Sequence, residues 1–262
     1  MTDAQDVPPA VLARSFGTQA ARYDQARPSY PAAAVDRVLA GLTPPAGSDA
    51  GSVAELPARI VDIGAGTGKL TALLVDRAAE VVAVEPDPQM LAVLTERLPR
   101  VRALPGSAER IPLPDGSVDA ILAGQAFHWF TRPDADREFA RVLRPGGVVG
   151  LLWNIPDRGV DWVDELYRAT RKPEFTGEEF DPLDPEQFGP VEEAEVPSTH
   201  QVAGPDGLRD LMHSWSWVIT RPQAERDAID QRLRILIGRH PQLQGPVVRM
   251  PQRTDVVWQV RR

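Results

Sequence analysis

The chain has 262 residues, 42% of them hydrophobic and 25% charged, with a net charge of −8 and no cysteine. A chain of this length buries roughly three-quarters of its unfolded surface, so a substantial core needs no covalent staple. The acidic balance argues against non-specific binding to nucleic acid or acidic membranes, and the missing cysteine removes disulfides, thiolate metal ligands and a cysteine nucleophile. No apolar run reaches the length of a membrane span, and the N-terminus lacks a charged-then-apolar signal pattern, so cytoplasm is the expected location. Lysine occurs only at Lys69 and Lys172 among abundant arginine, a bias typical of a GC-rich, bacterial genome.

Residues 1 to about 9 are polar and end in Pro8-Pro9, as a loose tail does. From 10 to 27, Leu12, Phe16, Ala20 and Tyr23 recur at helical spacing until Pro28 and Pro31 interrupt them. A second helix is expected over 32–42, with Val35, Val38, Leu39 and Leu42 on one face. Together 10–42 read as an N-terminal helical lid, and 43–57 as a flexible linker.

A regular alternation follows. Strands are expected at 59–64, 81–85, 101–104, 118–123 and 148–153, and helices at 68–77, 88–98 and 132–143, with Pro145-Gly146-Gly147 as the turn into the fifth strand. Continuous apolar strands between amphipathic helices predict an α/β fold, a doubly wound, mostly parallel sheet with both faces covered. This core spans 58–154. Beyond it, 155–262 is expected to hold cap helices and the last two strands: a short helix at 162–171, a strand at 191–202, helices at 207–218 and 224–239, and a strand at 256–260. The two long helices are expected to lie over the mouth of the sheet, all within a single 1–262 domain.

Arg59 to Lys69, RIVDIGAGTGK, is the stretch that carries chemistry. It reads as a buried strand, a tight turn with glycines at 64, 66 and 68, and a helix start. Such glycines let backbone approach a ligand closely, and a helix N-terminus favours an anion. The dinucleotide pattern GxGxxG fails because Lys69 stands where the third glycine belongs, and the Walker pattern fails because Leu70 follows Gly68-Lys69. Asp62 before the turn and Glu85 closing the second strand remain, and two carboxylate oxygens suit two donating ribose hydroxyls. Each has a plainer reading: a bare strand-to-helix turn for the glycines, a solvated strand end for Glu85.

The ordered set VDIGAGTGKL, VVAVEPDPQML, GSAERIPLPDGSVDAI, GQAFHWF and EFARVLRPGGVVGLLWN, with FGTQAARYDQARPSYP near the start and MPQRTDVVWQV at the end, resembles the class I S-adenosylmethionine-dependent methyltransferases. Within them it is similar to the type 11 group and its trans-aconitate-methyltransferase-like branch. The resemblance implies a Rossmann-like, seven-stranded sheet, with an antiparallel seventh strand between the fifth and sixth, and a helical cap. It implies that Asp62, Gly64, Ala65, Gly66 and Gly68 surround the methionine part of S-adenosyl-L-methionine. Glu85 would hold the ribose, Pro86 and Met90 would flank the adenine, Ser107, Ala108 and Glu109 would read its edge, and Gln125 and Ala126 would flank the sulfonium. The product would be S-adenosyl-L-homocysteine.

A carboxylate acceptor needs no base, whereas a hydroxyl or amine must lose a proton. His128 is the candidate base, Tyr23 could orient the acceptor, Arg27 could pair with a carboxylate of cofactor or substrate, and Trp129, Trp153 and Trp217 could form an aromatic wall. The plainer alternatives are a loop histidine packed by Phe127 and Trp129, a solvent-facing Glu109, and Tyr23 and Arg27 as tethers of the first helix. His200, His213 and His240 are too scattered for a metal site. The expected function is methylation of a small-molecule acceptor, at oxygen by family analogy, by a monomer or homodimer that binds no nucleic acid and no membrane. The alternatives are a cofactor-binding protein without transfer activity and a nucleotide-binding oxidoreductase.

Overall fold

The structure, a computed structural model, describes residues 27–42, 57–170 and 181–262. The described residues fall into two compact units: a sheet unit of 30–42, 57–154, 181–196 and 254–262, and a helical unit of 27–29, 155–170 and 197–253. In chain order the elements are α1 (Ala32–Leu39), β1 (Arg59–Ile63), α2 (Thr71–Leu74), β2 (Glu80–Glu85), α3 (Pro88–Arg97), β3 (Arg102–Pro105) and β4 (Val118–Gly124). They continue with α4 (Asp134–Val142), β5 (Leu143–Pro156), α5 (Asp161–Ala169), β6 (Glu192–Val202), α6 (Gly204–His213), α7 (Ser216–Ile219), α8 (Gln223–Arg239) and β7 (Val248–Val260).

The strands form one seven-stranded sheet ordered β3-β2-β1-β4-β5-β7-β6. β1 pairs in parallel with β2 and β4, β2 with β3, and β4 with β5. β7 runs the other way: Arg261 N–H donates to Gly147 C=O at 2.8 Å, while Asp157 N–H donates to Pro251 C=O at 2.9 Å, so one strand descends as the other climbs. The order reverses between β1 and β4, and an open parallel sheet binds its ligand at that switch point, beyond the carboxyl ends.

In the sheet unit, Ile60, Val81, Ala120, Leu122, Val148 and Leu152 bury one face against Leu70, Leu74 and α1, whose Ala34, Val35 and Val38 are fully buried. Helix α1 therefore sits in the core of this unit. It approaches β5 so closely that a Cβ on Gly150 would collide with the Val38 side chain. The expected Pro145-Gly146-Gly147 turn is instead an irregularity inside β5: the register with β4 jumps between Val118↔Leu143 and Ala120↔Val148, and Gly146 supplies a φ of 75°.

The helical unit has its own core, built from Trp162, Val163, Leu166 and Tyr167 of α5, Leu208, Leu211 and Met212 of α6, and Ile229, Leu233 and Leu236 of α8. The single helix expected over 207–218 is broken: α6 ends at His213 and α7 begins at Ser216. The break brings Trp215 and Trp217, which a continuous helix would splay apart, into a stack with ring centroids 4.8 Å apart. His213 Nε2 lies 2.7 Å from Asp230, which also takes the Arg209 guanidinium, and His240 lies 3.4 Å from Glu165, so these histidines tie helices together. No described helix is long and apolar enough to cross a membrane.

Candidate active site

The glycine turn leaves β1 and bends back onto β2, with Gly64 and Ala65 N–H both donating to Val84 C=O, at 2.9 and 3.2 Å. Gly64, Gly66 and Gly68 take φ values of 66°, 55° and 85°, a left-handed backbone that glycine alone adopts without strain. Their surroundings differ. A Cβ on Gly64 would strike the Ala126 Cβ at 2.7 Å, and one on Gly68 would press on Leu94 and Leu98 at 3.0 and 3.1 Å. One on Gly66 would meet nothing within 4 Å. Gly64 and Gly68 are thus small because protein packs on them, while Gly66 opens onto free space.

The helix expected over 68–77 is regular only at Thr71–Leu74, framed by turns. A single turn carries little macrodipole, so anion binding at a helix start is not what this segment offers. Thr71 has another task. It is fully buried, and its hydroxyl donates to Asp62 Oδ2 at 2.5 Å.

Asp62 is 1% exposed, and its Oδ1 has no hydrogen-bond partner. Burial is the main force that raises its carboxyl to about pH 7; the Thr71 hydroxyl opposes it, and the nearby Glu85 charge adds to it. Glu85, 7% exposed, closes β2 and accepts Gly66 N–H on Oε2 at 2.8 Å and Asp87 N–H on Oε1 at 2.9 Å. Its carboxyl is also pushed up, again chiefly by burial, against the lowering effect of those two N–H groups. Each Glu85 oxygen keeps acceptor capacity for one more donor.

Asp87 caps α3, its side chain accepting Gln89 N–H at 2.8 Å and Met90 N–H at 3.1 Å, with Pro88 at the first helical position. The cap orients Met90, which is buried, while Pro86 stays exposed. Past β3, Ser107 and Arg110 pair backbone to backbone and bury Ala108. Glu109 Oε1 accepts Thr131 N–H at 2.6 Å, which ties this loop to the segment after β4. Burial raises the Glu109 carboxyl, but the donors at Thr131 and Ser107 outweigh it and hold the group below the ordinary range.

At the end of β4, Gln125 has φ 56°, the sole non-glycine with positive φ among the described residues. Strain of this kind persists where surrounding structure over-determines it. Gln125 N–H donates to Leu152 C=O at 2.9 Å and its side-chain amide to Asn154 C=O at 3.1 Å, while Asn154 Oδ1 accepts the Thr254 hydroxyl at 2.7 Å. Tyr30 stands beside them: its hydroxyl lies 2.5 Å from where a Gly124 Cβ would be.

His128 lies exposed on the short 3-10 turn Phe127–Trp129, its ring 4.6 Å from that of Trp129. Phe127 meets Trp153 and Phe130 edge to face. Arg27 belongs to the helical unit, where its guanidinium donates to Ser214 C=O at 2.9 Å. Trp217 is in that unit too, stacked on Trp215. Tyr23 lies outside the described residues.

The carboxyl ends of β1, β2 and β4 therefore carry Asp62, Gly64, Ala65, Gly66, Glu85, Gln125 and Ala126, with Ser107, Ala108 and Glu109 in the loop after β3. Reading residue types along the chain missed Thr71, Asp87, Tyr30 and Asn154. The Asp87-Pro88 pair was a legible capping signal. Thr71 had none, because its role depends on where the turn folds.

A family model described as a methyltransferase domain matches residues 61–151. An uncharacterized methyltransferase of Mycobacterium tuberculosis is 43% identical over 237 residues, covering 88% of this chain and 89% of that protein. A malonyl-[acyl-carrier protein] O-methyltransferase of Methylococcus capsulatus is 44% identical over 97 residues, 35% of each chain. Among solved structures, a candidate type II methyltransferase from Anaeromyxobacter dehalogenans is 25% identical and superposes with a TM-score of 0.59 over 89% of this chain and 97% of its own. With the seven-stranded sheet, its reversed seventh strand and the glycine turn at the switch point, this likeness shows that the chain belongs to the class I S-adenosylmethionine-dependent methyltransferases.

Proposed function

We propose that the chain moves a methyl group from S-adenosyl-L-methionine to an oxygen, carboxylate or hydroxyl, of a small molecule. The observation that carries the reading is the pairing of Asp62, a buried carboxylate with one unpartnered oxygen, with Glu85 and the open space at Gly66. That set fits a ligand bearing an ammonium group and two ribose hydroxyls. The oxygen acceptor is supported by the resemblance to the trans-aconitate-methyltransferase-like branch and by the partial likeness to an O-methyltransferase.

When bound, the cofactor supplies a sulfonium methyl already activated for transfer. The chain's residues bind and align. Asp62 takes the ammonium, directly or through a water, and the backbone from Gly64 to Gly68 frames the methionine part. Glu85 accepts the ribose hydroxyls on its remaining lone pairs. Met90 and Pro86 flank the base, with Ser107, Ala108 N–H and Glu109 at its edge. Gln125 and Ala126 set the place from which the methyl leaves. Alignment of this kind is the main contribution a protein makes to such a displacement.

Incubation with methyl-labelled cofactor and a panel of small carboxylic acids, phenols and amines tests the acceptor atom. Label released as methanol by mild alkali marks a methyl ester, and alkali-stable label on a phenol marks a methyl ether; either supports the reading, and label found only in amine products contradicts it. His128 acts as base where the acceptor is a hydroxyl. His128→Ala should then slow hydroxyl methylation by roughly 10²-fold, while carboxylate methylation and cofactor affinity stay unchanged. Equal rates for both proteins across pH on a hydroxyl acceptor would reject that role.

A further inference from the structure

We infer that the site takes up its cofactor in exchange for a proton: the empty enzyme holds one on Asp62, and binding of the cofactor's ammonium group expels it. This rests on the proposed placement of that group at Asp62.

The argument starts from geometry. Asp62 sits in mid-sheet, its β-neighbours Ala83 on β2 and Leu122 on β4 offering no charge. Its one polar side-chain partner is the Thr71 hydroxyl on Oδ2, and Oδ1 is buried without a donor. Thr71 supplies neutral donors only, its hydroxyl and its backbone N–H, and removing a carboxylate from water without a counter-charge is costly. The charges acting on it come from Glu85 of β2 and, through Glu85, from Asp87 at the start of α3, and both are negative. The cheapest response of such a site is to keep a proton, in line with the upward shift of this carboxyl to about pH 7.

A ligand ammonium reverses the balance. It brings the positive charge that the proton had supplied, so the ionised carboxylate becomes the favoured form. The O–H bond of the Asp62 carboxyl breaks and the proton passes to solvent. Proton and cofactor then compete, and by linkage the apparent affinity rises with pH until the empty site is already ionised.

Titration calorimetry with S-adenosyl-L-homocysteine, repeated in buffers of different ionisation enthalpy, counts the protons released and needs no methyl acceptor. Release should approach about one proton per site near pH 6 and fall toward zero near pH 8.5, with affinity rising roughly tenfold per pH unit below about pH 7. Asp62→Asn should bind more weakly, with no release and no slope. Binding by the wild type without proton release, or release that persists in Asp62→Asn, overturns the inference and leaves the cofactor reading standing. No binding by the wild type at any pH overturns the cofactor reading itself, and the inference with it.

Discussion

Glu85→Ala is expected to weaken S-adenosyl-L-homocysteine binding by about 3 kcal/mol, on the order of 100-fold in Kd, through loss of two charge-assisted hydrogen bonds to the ribose. The same carboxylate anchors Gly66 N–H and Asp87 N–H, so alanine also strands two backbone donors in a buried place and lowers the melting temperature. Glu85→Gln separates the two effects. Glutamine keeps one acceptor oxygen and the side-chain volume, but turns an –NH2 toward groups that donate, so affinity should fall while the turn largely survives. Unchanged affinity in both variants, measured calorimetrically on folded protein, would remove Glu85 from the ribose site.

Asp62→Asn is expected to stabilise the ligand-free protein above neutral pH. The folded chain holds this proton up to about pH 7, whereas the unfolded chain releases it near the ordinary value of 3.8. The stability contributed by protonated Asp62 is therefore complete below about pH 4, declines as pH rises, and is gone above about pH 7. The loss is at most roughly 4 kcal/mol. Asparagine does not titrate, its oxygen can still accept the Thr71 hydroxyl, and its buried –NH2 offsets part of the gain. Melting temperatures of both proteins should diverge as pH rises from 5 to about 7 and keep a constant separation up to pH 8.5, the variant unfolding at the higher temperature. Parallel curves would show that Asp62 is already ionised in the empty protein. A group that costs stability when empty and binds ligand when full is a common trade at functional sites.

The parallel half of the sheet was legible because its strands are short, apolar and separated by amphipathic helices. Arg59–Ile63, Glu80–Glu85 and Val118–Gly124 fall within a residue or so of where hydrophobic pattern puts them. The last strand was not. Val248–Val260 alternates buried and exposed positions as far as Val256, but that buried row includes Gln252 and Thr254, which donate to Ser198 and Asn154, and Gln259 is buried on the opposite face with hydrogen bonds to Leu183 and Gly189. Hydropathy marks that row as polar, so only 256–260 stood out.

The site divides in the same way. Asp62, the three glycines and Glu85 announce themselves by type and order, and all three glycines need the backbone that spacing implied. Their separate duties depend on neighbours far along the chain, Leu94 and Leu98 for Gly68 and Ala126 for Gly64. Nothing in a glutamine foretells the left-handed backbone of Gln125, because side chains with a Cβ rarely adopt it. The break after His213 was visible only as a conflict, two tryptophans at strand-like spacing inside a helical pattern.

The central claim is that the turn from Gly64 to Gly68, with Asp62 and Glu85, forms a site for S-adenosyl-L-methionine and for no dinucleotide. Titration calorimetry of the wild-type protein with S-adenosyl-L-homocysteine and, separately, with NAD tests it most directly. Saturable binding of S-adenosyl-L-homocysteine at one site per chain, with no heat from NAD, is the predicted result. Saturable NAD binding with no response to S-adenosyl-L-homocysteine would contradict it.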